Sequence, residues 1–73
     1  MGWEAIIGAN VRRVRKARGL SQEALAAEVA IDMRQLGRIE RGESFPSMGT
    51  FFKIAEALGT PPVNLLSATD QPS

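Results

Sequence analysis

The 73-residue chain contains no cysteine, no histidine and no tyrosine. Without thiols there are no disulfides and no thiolate chemistry, and without imidazole the usual general base and the commonest metal ligand are missing. Serines, lysines and carboxylates remain, but no nucleophile and base stand at a recognisable spacing. The expectation is therefore a protein that is not an enzyme and carries no cofactor or metal. Long apolar runs are also lacking, and the longest fall far below the roughly 20 residues that span a bilayer. The start Met1-Gly2-Trp3-Glu4 shows no basic-then-apolar leader, and Ile6 stands where a myristoylation signal needs Ser or Thr. A soluble, cytoplasmic protein is expected.

A 44% apolar content in so short a chain allows one compact domain that buries only about 60% of the surface its unfolded form exposes. Self-association is the usual supplement for a core this small. There is no room for a second, sensory domain, so no small-molecule effector is expected.

The net charge of +1 hides an uneven distribution. Residues 1–41 hold eight basic residues (Arg12, Arg13, Arg15, Lys16, Arg18, Arg34, Arg38, Arg41) against five acids, whereas residues 42–73 hold Lys53 against Glu43, Glu56 and Asp70. The split suggests a basic face toward a polyanion; its alternative is an ordinary solvated helix surface.

Apolar spacing reads as five short helices with no strand-like alternation, repeat or interdomain linker. Ile7, Val11, Val14 and Ala17 mark the inner stripe of a first helix over Glu4 to Arg18, stopped by Gly19. Ser21 caps a second over Gln22 to Val29, with Leu25, Ala26 and Val29 inward. Asp32 caps a third reaching about Arg41, with Leu36 and Ile39 inward and Gly42 as its stop. Ser47 caps a fourth over Met48 to Leu58, with Met48, Phe51, Ile54, Ala55 and Leu58 as its stripe. Pro61 and Pro62 suit the first turn of a fifth helix holding Val63, Leu65 and Leu66. The domain thus spans residues 1–67, and 68–73 reads as a flexible tail.

Residues 20–42 describe two short helices joined by a tight turn, the second carrying outward arginines. That is a device for placing a helix in a DNA groove. Once Leu36 and Ile39 point inward, Met33, Arg34, Gln35 and Arg38 are left outward. Arginine can donate two hydrogen bonds to guanine O6 and N7, glutamine serves adenine or a phosphate, and methionine offers apolar contact to a thymine methyl.

The segments Leu20-Ser21-Gln22-Glu23-x-Leu25-Ala26, Ile39-Glu40-x-Gly42 and Leu58-Gly59 resemble the helix-turn-helix family of lambdoid phage repressors, Cro proteins and bacterial XRE regulators. The resemblance covers roughly residues 4–67. It implies an all-α, compact five-helix, lambda-repressor-like DNA-binding domain whose third helix enters the major groove, with Met33, Arg34, Gln35 and Arg38 reading bases. It further implies a phosphate contact from Gln22 at the start of the second helix. Arg41, Arg12 and the fourth-helix N-terminus around Ser47 to Thr50 are further phosphate candidates, since such a contact demands only reach and sign. Arg15 and Glu40 match a partly buried ion pair of the family and are assigned to the scaffold. The loop after the third helix departs from the family pattern, because Glu43 is acidic and Phe45 apolar.

Two further departures concern glycine. Gly37 stands mid-helix, where it weakens a helix by about 1 kcal/mol relative to alanine, and a close approach to DNA or to the second helix would compensate. Ala30 replaces a glycine frequent in the turn, so the turn is expected to keep a right-handed or extended backbone there.

One recognition helix covers about half a site, so two copies spaced by about 34 Å are expected. The expected dimer surface is Val63, Leu65 and Leu66 with Phe52 from the fourth helix, Trp3 being a further candidate; the alternative is that Trp3 and Leu66 close the end of the core. The expectation is a homodimeric, sequence-specific regulator of transcription, a repressor, on a pseudo-palindromic operator in double-stranded DNA. The alternatives are an antitoxin-like or phage accessory module whose main partner is a protein, and a protein-only adaptor.

Overall fold

The computed structural model describes residues 2–68; of the expected tail, residues 69–73 lie outside the described residues. Four α-helices follow one another, α1 Trp3–Ala17, α2 Gln22–Val29, α3 Met33–Glu40 and α4 Met48–Leu58, with a 3₁₀ turn over Pro62–Leu65. No strand occurs among the described residues. The fifth helix of the sequence reading is therefore a single 3₁₀ turn. Neither Pro61 nor Pro62 can donate a backbone hydrogen bond, and the segment closes instead through Asn64 N–H to Pro61 O and Leu66 N–H to Val63 O.

The helix starts are set by side chains. Ser21 Oγ accepts from Ala24 N–H at 3.0 Å, Asp32 Oδ1 from Arg34 N–H at 2.8 Å and Ser47 Oγ from Thr50 N–H at 3.1 Å, each satisfying a donor that the helix itself leaves open. Between α2 and α3 the chain reverses through Ala30, at φ 66° and ψ 44°. The expected right-handed or extended turn is thus left-handed. Ala30 N–H still reaches Ala27 O as a helical residue would, and the left-handed backbone then turns Ile31 N–H back onto Ala26 O, which closes the C-terminus of α2 in the manner a glycine usually serves.

Val11, Leu25, Leu36, Ile39, Ile54, Leu58 and Leu65 are the largest fully buried side chains. They come from every element, so one core holds the whole domain. Ala17 and Met48, expected on inner stripes, are instead exposed. Ala17 falls in the last turn of α1, on the margin of its stripe, and Met48 opens the first turn of α4. The cross-over of α1 and α3 is close: a Cβ on Gly8 would overlap the carbonyl oxygens of Ile39 and Glu40. Glycine at that point sets how near the C-terminus of α3 can approach α1.

Asn10 fastens the C-terminal segment. Its side-chain amide, buried in α1, donates to Leu65 O and Ser67 O, both at 2.9 Å, and its oxygen accepts from Arg13 Nη2 at 3.1 Å. A buried amide with all of these partners stabilises one placement of the 3₁₀ turn against α1.

Candidate nucleic-acid interface

Three helices meet at one carboxylate. Arg15 Nε donates to Glu40 Oε2 at 2.7 Å, Arg15 Nη2 to Glu40 Oε1 at 3.0 Å and Arg15 Nη1 to Leu20 O at 2.8 Å. Gln22 Nε2 adds a bond to Glu40 Oε1 at 3.0 Å. Because a carboxylate only accepts, the amide nitrogen of Gln22 must face it. The Arg15 and Glu40 side chains are 9% and 2% exposed, so their charges lie out of water and depend on each other. The last residue of α3, the first of α2 and the last turn of α1 are thereby tied together. This knot fixes the angle at which α3 leaves the body of the domain.

From that anchor α3 presents one face to solvent. Met33, Arg34, Gly37, Arg38 and Arg41, with Gln22 from α2, line an open groove of about 250 Å³. Positions 33, 37 and 41, and 34 and 38, repeat every four residues and share this side, while Leu36 and Ile39 are fully buried on the other. Arg34 is 85% exposed and only loosely near Asp32, Nε to Oδ1 3.8 Å. Arg38 is exposed and makes no ion pair or side-chain hydrogen bond among the described residues. Arg41 is held by Glu43, whose carboxylate accepts from Nε at 3.0 Å and Nη2 at 3.3 Å. That hydrogen bond, followed by the attraction of the two charges, raises the Arg41 guanidinium above its ordinary range and lowers the Glu43 carboxyl.

The sequence-derived base-reading set is only partly assembled. Met33, Arg34 and Arg38 share the groove, whereas Gln35 is half-buried and does not line it. Its place on the helix turns it to the flank that carries Ile39, four residues on. Gly37 lines the groove from beneath, itself buried. Its missing side chain leaves room for Arg41, since a Cβ there would lie 3.1 Å from Arg41 Nη1 and 4.0 Å from Gln22 Nε2.

Of the other expected phosphate contacts, Arg12 is exposed on α1, and Ser47 and Thr50 stand at the start of α4. Ser47 Oγ donates to Thr50 Oγ1 at 3.0 Å while it caps the helix. The first N–H groups of α4 have no acceptor within their own helix, and the positive end of the helix dipole favours an anion there.

The expected dimer surface needs one correction. Leu65 is 0% exposed and belongs to the core, so it cannot meet a partner; in a 3₁₀ turn three residues make one revolution, which separates it from its apolar neighbours. Val63, Leu66 and Phe52 are exposed at 66%, 38% and 50%, and so is Trp3. A second apolar feature went unforeseen, a groove of about 340 Å³ lined by Ile7, Phe45, Pro46, Met48, Phe51 and Leu66. It joins α1, the loop before α4 and the end of the 3₁₀ turn, elements too far apart in sequence for spacing to relate them. No group of three or more His, Cys, Asp or Glu able to hold a metal occurs among the described residues. Nor is any helix of them long and apolar enough to cross a membrane.

The arrangement is shared with known proteins. The chain is 34% identical over 71 residues, 97% of its length and 92% of the relative's, to an uncharacterised HTH-type transcriptional regulator of Sinorhizobium fredii. It is 37% identical over 65 residues, 88% of its length and 80% of the relative's, to the control protein C.BamHI of Bacillus amyloliquefaciens. The fold matches the crystal structure of the restriction-modification controller protein C.AhdI from Aeromonas hydrophila with a TM-score of 0.81 at 37% identity, covering 85% of this chain and 94% of that one. The helix-turn-helix family model matches residues 11–65. With its capped α2 and α3, the Arg15–Glu40 knot and an α3 face open to solvent, the chain belongs to the XRE-type helix-turn-helix family of DNA-binding transcription regulators.

Proposed function

We propose that two copies of this chain bind a pseudo-palindromic operator in double-stranded DNA and repress transcription by occupying it. In this reading α3 lies in the major groove, Arg34 and Arg38 read guanine edges, and Met33 touches a thymine methyl. Gln35, off this surface, takes no base. Gln22, Arg41, Arg12 and the α4 N-terminus with Ser47 and Thr50 contact phosphates and set the register. The second copy is recruited through Val63, Leu66 and Phe52, which places two recognition helices about 34 Å apart. Repression is favoured over activation because blocking a promoter needs no surface beyond the DNA-binding one.

The observation that carries the reading is the open face of α3. Arg34 and Arg38 are both exposed there, beside Gln22 and Arg41, while the same helix buries its leucine and isoleucine. Selection of bound duplexes from a random library tests it. The expected product is an inverted repeat whose half-site centres lie about 10 base pairs apart. Recovery of no enriched sequence, or of a single unrepeated half-site, would contradict it.

A further inference from the structure

The end of α3 carries a device that the family assignment does not account for. Gly42, at φ 77°, reverses the chain so that Glu43 N–H returns to Arg38 O at 2.9 Å. This brings the Glu43 carboxylate back along the helix to Arg41, where it accepts from both Nε and Nη2. The remaining nitrogen, Nη1, rests over Gly37, where any side chain would press on it. The Arg41 guanidinium is therefore laid along the groove with two of its nitrogens occupied by an internal carboxylate. The charge of Arg38 also bears on Glu43.

Such a carboxylate acts on a polyanion in two ways. It occupies the cation that a phosphate would use, and it adds a negative charge beside the remaining cations. The pair contributes little to folding, because its side chains are 57% and 53% exposed and an exposed ion pair is a weak stabiliser. It is also exchangeable, since a phosphate presents oxygens to the same guanidinium fork that Glu43 now fills.

We propose that Glu43 is a brake on DNA binding: it holds Arg41 in an internal ion pair that a backbone phosphate must displace, and so sets the affinity for DNA below what the cations of this face would give. The inference rests on the DNA-binding reading above and concerns the regulation of that surface. Gly37 is part of the device, because it lets Arg41 lie where Glu43 can reach it.

The test is a double-mutant cycle read by fluorescence anisotropy, with a labelled mixed-sequence duplex of about two helical turns at about 50 and 200 mM salt. Wild type, Glu43→Gln, Arg41→Ala and the double variant are compared, and thermal melts check that each is folded. Glu43→Gln is expected to bind about three- to tenfold tighter than wild type. Its salt slope should stay near that of wild type, because Arg41 meets the same phosphate in both complexes once Glu43 has been displaced. In the Arg41→Ala background most of that gain should vanish. Unchanged or weaker binding by Glu43→Gln, with wild type still binding, overturns the brake and leaves the DNA reading standing. An equal gain in both backgrounds overturns it too, because Glu43 would then act only as a distant charge. Failure of wild type and every variant to bind at the lower salt overturns the DNA reading and the brake together.

Discussion

Replacing Ala30 by glycine should stabilise this domain, although it removes a side chain and loosens the unfolded chain. Ala30 sits at φ 66° in the turn between α2 and α3, as the one described residue other than glycine with positive φ. A residue with a Cβ held there is strained by about 1–2 kcal/mol. Glycine releases that strain, and its greater freedom when unfolded takes back about 0.4–1 kcal/mol. Ala30 is exposed, so hardly any buried contact is lost. The net gain is about 0.5–1 kcal/mol, which for a domain of this size raises Tm by roughly 2–8 °C. The assay is a reversible thermal melt by circular dichroism at one fixed protein concentration, since association would otherwise shift the midpoint. Gly19→Ala serves as the mirror control: Gly19 has φ 72° with nothing near its missing Cβ, so the change should lower Tm by a similar amount. An unchanged or lower Tm for Ala30→Gly would refute the reasoning, and with it the left-handed turn that orients α3.

Glu40→Ala should lose about 3–5 kcal/mol in urea denaturation, because it leaves Arg15 buried without its carboxylate and deprives Gln22 of an acceptor; a loss below about 1 kcal/mol would show that the knot does not hold the helices. Leu65→Ala should destabilise the fold by about 2–5 kcal/mol. Val63→Asp should leave the monomer's stability nearly unchanged and shift sedimentation toward the monomer; a stable dimer in that variant would contradict the surface proposed for association.

The parts of this structure that were legible beforehand are those where a single residue type does the physical work. Ser21, Asp32 and Ser47 mark helix starts because a short acceptor side chain is what an open N–H needs, and Leu36 with Ile39 points the arginines of α3 outward by helical spacing alone. Arg15 and Glu40 were legible only through family resemblance, since twenty-five positions separate them and no local rule relates them. Ala30 misled because nothing in alanine announces a left-handed backbone; the need of α2 to close its last carbonyls overrode the side chain's preference. Leu65 misled because Val63, Leu65 and Leu66 are alike in chemistry, and only the tight 3₁₀ turn decides which of them points inward. The Gly37, Arg41 and Glu43 device was invisible for a similar reason. It depends on the chain reversal at Gly42, which brings an acid two residues beyond an arginine back to its guanidinium.

Base reading by the exposed face of α3 is checked by measuring Arg34→Ala and Arg38→Ala on the duplex recovered by selection and, in parallel, on mixed-sequence duplex. Each substitution should cost about 1–3 kcal/mol on the selected duplex and much less on the mixed one, with specificity relaxed at one base-pair position of each half-site. Equal losses on the two duplexes would mean that these arginines meet only phosphate, and would contradict base reading.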